Sequence, residues 1–324
     1  MSSALQITQK DSQYYLETND PSGIIFLSSG MGTSIRDLCD NKEDPIQKGS
    51  SFIAPLDAPK IVEQVHMGYI NAGAQIITAD TYCASYYRQN GDVELTEQFV
   101  TAASNIAENA RKGVENAPLI AMSLTALEDC YTAEATPGAA TLYSEHARNL
   151  ALLEDHGDFT LAETLPTLRE AQAIATLAKR PFVTSFTVAA NGNLLDGSTM
   201  DKVVETILEP HALCLGIGVN CCSLEGAEKA VEALAEIYAD KPHLQGKQII
   251  AYPDGHKKSR EENAKCCGNK EPEKVSPIEL SETLNRFVQK GATAVGACCG
   301  ANAEHTQAYV QKISQLQQKL ELAG

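Results

Sequence analysis

The stretch LCLGIGVNCCSLEGAEKAVEALAEIYAD, residues 213–240, carries two structural signals in succession. Residues 213–221 form a short apolar run without strict alternation, the pattern of a strand covered on both faces. From Ser223, a residue suited to an N-cap, a segment with helical spacing follows. The same strand-then-helix reading recurs along the chain. Further apolar runs are GIIFLSS (23–29), AQIITAD (74–80), PLIAMSLT (118–125), DFTLAET (158–164), PFVTSFTV (181–188), KQIIAYP (247–253) and ATAVGACC (292–299), eight in all. Between them, DAPKIVEQVHMGYINAG carries Ile61, Val62, Val65 and Ile70 and stops at Gly73. VELTEQFVTAASNIAENARKG stops at Gly113, and SPIELSETLNRFVQKG opens on Ser276. Strands alternating with helices imply right-handed βαβ units and a parallel sheet. Eight units in 324 residues predict an α/β fold with a single (β/α)8 barrel spanning residues 1–324. An open doubly wound sheet competes, but no GxGxxG follows the first run.

Composition narrows the function classes. The formal charge is −16, from 26 basic and 42 acidic residues, which disfavours nucleic acid and anionic membrane as partners. The N-terminal MSSALQITQKDSQYYLETND has neither a basic nor an apolar leader region, and no apolar run reaches the roughly 18–20 residues of a membrane span. A soluble, cytoplasmic protein is expected, with small molecules as its partners. Its oligomeric state is left open, since no long heptad seam is visible. One composition shift stands out, PDGHKKSREENAKCCGNKEPEKVS (253–276). It reads either as a surface loop or as a lid after the seventh strand.

Six of the ten cysteines lie in adjacent pairs: Cys221-Cys222, Cys266-Cys267 and Cys298-Cys299. Cys221 ends the sixth strand, and Cys298 and Cys299 end the eighth, where barrel chemistry is built. Adjacent residues of a regular strand face opposite ways, but Gly300 permits a turn that would aim both thiols at one point. Position alone leaves three readings open: metal ligands, inert buried thiols, or a redox pair. Three thiolates would suit zinc, with a fourth position open to a substrate thiol. Cys222 is expected to point into packing, and Cys266-Cys267 read as incidental or as redox- or metal-active.

At these residues the chain resembles the homocysteine S-methyltransferase family. GVNC (218–221) and GACCG (296–300) are similar to the family's two zinc-binding motifs. SGMGTSIRD (29–37), AGAQIITADTYCAS (72–85), LAETLPTLREA (161–171) and SFTVAANGNLLDG (185–197) resemble its other strand-end motifs, in order. The resemblance implies Zn2+ held by Cys221, Cys298 and Cys299, and methyl transfer to the thiol of homocysteine, giving methionine. It assigns Glu163 to the substrate ammonium and places Ser28, Gly30, Met31, Asp80, Phe186 and Asn220 as further substrate contacts. Met31 and Phe186 also read as core.

Three departures from the family pattern stand at the substrate end. Ser28 occupies a position where the family carries aspartate, Asp80 one where it carries asparagine, and Ser123-Leu124-Thr125-Ala126 replaces a Ser-x-Gly-Pro-like turn. Asp80 is therefore expected to supply from the neighbouring strand the charge that Ser28 lacks. A sulfonium donor, S-methylmethionine or S-adenosylmethionine, is expected. Betaine is disfavoured by the absence of tryptophan, although Tyr82, Tyr86 and Tyr87 could offer ring faces. Alternatives are the same chemistry on another thiol or a selenol, or a non-catalytic protein that binds zinc or thiols.

Overall fold

All eight apolar runs become parallel strands in the computed structural model, which describes residues 5–39, 53–257 and 273–323. The barrel strands are β3 (Ile25–Phe26), β4 (Ile76–Ala79), β5 (Leu119–Thr125), β6 (Phe159–Leu165), β7 (Phe182–Phe186), β8 (Cys214–Asn220), β9 (Gln248–Tyr252) and β10 (Ala294–Val295). Each of β4 to β10 pairs with the strand before or after it, and β10 pairs with β3. A parallel bridge between Leu27 and Ile76 joins β3 to β4, reinforced by Gln75 N–H to Phe26 O at 2.7 Å and Ser28 N–H to Ile76 O at 2.8 Å. These contacts close the sheet into a barrel, which excludes the open doubly wound alternative.

The helices form where capping and periodicity place them. They are α1 (Met31–Leu38), α2 (Ala54–Asp57), α3 (Pro59–Asn71), α4 (Val93–Arg111), α5 (Ala139–Leu153), α6 (Leu168–Leu177), α7 (Met200–Val203), α8 (Leu224–Asp240), α9 (Pro277–Gln289) and α10 (Ala303–Ala323). Ser223 Oγ accepts the Gly226 N–H at the start of α8, and Ser276 with Glu279 forms a complete capping box at α9. Beyond α3 and α4 the chain turns at Gly73 (φ +94°) and Gly113 (φ +77°), in the left-handed region glycine enters at least cost. No helix among the described residues is long and apolar enough to cross a membrane.

Sequence periodicity did not single out the N-terminal hairpin, β1 (Leu5–Lys10) with β2 (Gln13–Thr18). Leu5 and Leu16 join a buried cluster with Ile25, Leu27, Phe159, Leu161, Leu215 and Ile250 inside the barrel. Lys247 Nζ donates to Tyr14 O at 2.9 Å and Gln248 Nε2 to Leu16 O at 2.9 Å. Because residues 247–248 lie at the entry to β9, the hairpin seals the N-terminal end of the barrel. The opposite end is left for the site. Residues 258–272, which include Cys266 and Cys267 and most of the polar 253–276 segment, lie outside the described residues.

Candidate metal and thiol site at the barrel mouth

At the C-terminal end of the strands a cavity of about 270 Å3 opens among residues from β3 to β6, β8, β9 and the loop after β10. Cys221, Cys298 and Cys299 line it, and their three sulfurs lie within 4.8 Å of one another. Two backbone devices bring them there. Cys221 leaves β8 with φ +47°, off the extended strand geometry, while Cys222 beside it packs into the layer between sheet and helices. Cys298 and Cys299 follow β10 in a loop held by Cys298 N–H to Pro253 O (2.8 Å), Gly255 N–H to Cys299 O (2.7 Å) and Gly300 N–H to Thr33 Oγ1 (3.0 Å). Gly300 takes φ +81°, the turn that adjacent inward-facing cysteines require.

Where the sequence reading has three thiolates, the structure joins Cys221 to Cys298 in a disulfide and leaves Cys299 outside the bridge. A disulfide cannot act as two thiolate ligands, so this is the two-electron oxidised form of the pair. The donor set fits zinc once reduced: bonds of roughly 2.3 Å in a tetrahedron set the sulfurs about 3.8 Å apart, a small outward movement for the bridged pair.

Glu163 stands at the end of β6, 7% exposed, across the cavity. Ser123 Oγ donates to its Oε1 at 2.6 Å and Tyr252 OH to its Oε2 at 3.0 Å. Burial pushes its carboxyl above the usual range, and the two hydrogen bonds pull partly back. Asp80, at the end of β4, is 5% exposed, and its Oδ2 has no hydrogen-bond partner. Burial raises its pKa to about 7, against the opposing pull of the Arg36 guanidinium. Ser28, Gly30 and Met31 also line the cavity. The approach at Gly30 is close, because a Cβ there would lie 2.6 Å from the Cys298 carbonyl oxygen.

Phe186 and Asn220 do not line the cavity. Phe186 is fully buried in the layer between sheet and helices, on the outward side of β7, so its ring faces away from the barrel mouth. Asn220 is fully buried beside the site. Its Oδ1 accepts from Thr164 N–H (2.9 Å) and Ser185 Oγ (2.8 Å), and its Nδ2 donates to Thr164 Oγ1 (2.8 Å). Thr164 sits at φ +57°, rare for a β-branched residue, where the β6–β7 register shifts. Asn220 thus holds the turn that presents Glu163. Of the three tyrosines considered from sequence, only Tyr82 reaches the cavity; Tyr86 lies under Arg148, and Tyr87 donates to Glu128. Sequence reasoning placed Ser123 at the substrate end, within the altered third-strand turn, but did not assign Tyr252, Tyr131 or Arg36 to the site. Tyr252 had a usable signal, its place at the end of a barrel strand.

The homocysteine S-methyltransferase family model matches residues 25–313. The homocysteine S-methyltransferase of Escherichia coli is 23% identical over 86% of this chain and 92% of its own length. The selenocysteine Se-methyltransferase of Brassica oleracea is 23% identical over 86% and 85%. Among solved structures, the metallated form of the homocysteine methyltransferase MmuM from Escherichia coli superposes with a TM-score of 0.71 at 20% identity. It covers 90% of this chain and 96% of that one. The likeness between the structures establishes the shared barrel. With the match running from the first barrel strand into the last helix, the chain belongs to the homocysteine S-methyltransferase family.

Proposed function

We infer that the protein transfers a methyl group from a sulfonium donor, S-methylmethionine or S-adenosylmethionine, to the thiol of homocysteine, giving methionine. The observation that carries this reading is the convergence of Cys221, Cys298 and Cys299 on one point of a cavity that also holds Glu163. Reduced, the three cysteines would hold Zn2+, which when bound supplies a Lewis acid that keeps an acceptor thiol deprotonated at neutral pH.

The remaining work belongs to the chain. Glu163, fixed by Ser123 and Tyr252, accepts hydrogen bonds from the acceptor ammonium and sets the distance between it and the sulfur. Ser28 follows β3 and Asp80 follows β4, strands joined by the Leu27–Ile76 bridge, and both residues line the cavity. Asp80 supplies the charge that a serine at position 28 lacks. Tyr82, Tyr131 and Tyr252 contribute the ring surface of the cavity, which suits a cationic donor group. The acceptor sulfur then forms the new S–CH3 bond as the donor's S–CH3 bond breaks; the donor sulfur keeps the bonding pair and leaves as a neutral thioether. The requirement for reduced cysteines fits a cytoplasmic setting.

The test is methyl transfer by reduced, zinc-loaded protein. Homocysteine is offered with S-methylmethionine, S-adenosylmethionine and betaine in parallel, and selenocysteine as a second acceptor. Methionine from a sulfonium donor is expected. Turnover of selenocysteine alone would reassign the acceptor, and turnover with no donor would remove the enzymatic reading.

A further inference from the structure

Immediately after β9, Pro253, Asp254, Gly255 and His256 lie outside every motif that carries the family resemblance, yet they meet both cysteine-bearing loops. Cys298 N–H donates to Pro253 O at 2.8 Å, and Gly255 N–H donates to Cys299 O at 2.7 Å. Asp254 N–H donates to Cys222 O at 3.0 Å, one residue from Cys221. The segment therefore bridges the two stretches of chain whose sulfurs converge.

The side chains of Asp254 and His256 add a second connection. His256 Nδ1–H donates to Asp254 Oδ1 at 2.5 Å, and the His256 backbone N–H reaches the same oxygen at 3.2 Å. Together these bonds fix the imidazole relative to its own backbone. The far edge of the ring then lies on Gly300. A Cβ at Gly300 would stand 2.8 Å from His256 Nε2 and 2.9 Å from its Cδ2 and Cε1. Gly300 is the φ +81° turn that lets Cys298 and Cys299 face inward, and its N–H donates to Thr33 Oγ1 of α1 at 3.0 Å. Both α1 and the imidazole thus bear on that turn. Asp254 is 1% exposed, and its Oδ2 has no hydrogen-bond partner. A buried carboxylate oxygen left unpaired costs stability, so stability alone does not account for an acid at this position.

We propose that Asp254 and His256 are positioning residues of the metal site. The carboxylate fixes the imidazole against the Gly300 turn, and the turn keeps Cys299 facing Cys221 and Cys298 when those two are reduced. This role rests on the three-cysteine metal site inferred above and assigns the residues that hold its shape. Neither side chain is a ligand, because the donor group that converges among the described residues consists of the three sulfurs.

Zinc affinity of reduced protein, measured by competition with a chromophoric chelator, tests the role without turnover. His256→Ala and Asp254→Ala are each expected to weaken zinc binding by roughly ten- to a hundredfold, as loss of a group supporting a metal ligand does. The double variant should be little worse than either single one, since both act through one contact. Asp254→Asn keeps an acceptor oxygen for the imidazole and is expected to recover most of the affinity. Cobalt(II) at saturation adds a signature that altered stability would not move. The thiolate-to-cobalt charge-transfer band of His256→Ala should lose about a third of its intensity, as one of three thiolates leaves the ion. Circular dichroism of the metal-free proteins establishes folding. If an alanine variant does not fold, His256→Phe replaces it. Phenylalanine fills the space without the Nδ1–H and should cost about tenfold in zinc affinity. A folded His256 variant that binds zinc as tightly as wild type with a full cobalt band would overturn the role. So would an Asp254→Asn variant as weak as Asp254→Ala. Wild-type protein that takes up no zinc contradicts the metal site itself and this role with it, whereas tight binding by wild type and variants alike contradicts this role alone.

Discussion

Replacing Asp80 with asparagine should stabilise the protein at alkaline pH, although it removes a charge from the site. Burial lifts the Asp80 carboxyl from 3.8 to about 7. Between those values the folded protein keeps a proton that the unfolded chain has released, so stability must fall as pH rises through that window. A difference of about 3 pK units corresponds to roughly 4 kcal/mol, fully expressed above pH 7 and absent below about pH 4. The attraction of Arg36 is already contained in that figure. Asparagine has nearly the same shape and does not titrate. Any packing cost of the amide is therefore constant with pH, and the pH dependence of the difference isolates the carboxylate. Urea unfolding of reduced wild-type and Asp80→Asn protein from pH 4 to pH 8 measures it. The variant should gain stability relative to wild type as pH rises, by a few kcal/mol across the range. A difference that stays flat with pH, or one that favours wild type increasingly towards pH 8, would refute the view that Asp80 is a buried, under-partnered carboxylate kept for a ligand.

Glu163→Gln should lower kcat/KM for the acceptor by roughly ten- to a hundredfold, the value of one charge-assisted contact, with zinc content unchanged. Because burial raises the Glu163 carboxyl, wild-type kcat/KM should fall at a higher pH than an ordinary glutamate would give, and the pH–rate profile of the variant should lack that limb. Gly30→Ala places a Cβ 2.6 Å from the Cys298 carbonyl oxygen and 3.3 Å from the Cys299 Cα. The loop carrying two of the three cysteines must shift, at a cost of about 1–3 kcal/mol. Competition with a chromophoric chelator should show weakened zinc binding, and an unchanged affinity would contradict the tight fit between α1 and that loop.

Much of this arrangement was legible because the signals were local. Apolar runs, Ser223 and Ser276 as caps, and Gly73 and Gly113 as stops each act through their own neighbours, and each appears in the fold. The hairpin over residues 5–18 escaped because its alternation is faint. Only Leu5 and Leu16 are well buried, and the positive-φ turn is made by Asp11-Ser12 in place of a glycine. The site was readable as a set of strand ends, but which side chain turns inward depends on parity and irregularity within each strand. Phe186 lies on the outward face with Phe182, whereas Val183 points into the barrel. Asn220 serves a strained turn at Thr164 that no residue pattern announces. Arg36 belongs to the cavity only because α1 runs away from it, a fact of tertiary placement. The Cys221–Cys298 bridge depends on the distance between two strand ends, which sequence spacing does not encode.

The central claim is that Cys221, Cys298 and Cys299, once reduced, form one metal site. Its most direct test is the zinc content of protein purified under reducing conditions, measured beside Cys299→Ala prepared identically. The account predicts about one zinc per chain, as a single three-thiolate site requires, and little or none in the variant. Wild-type protein without zinc, or a variant that retains as much as wild type, would contradict it.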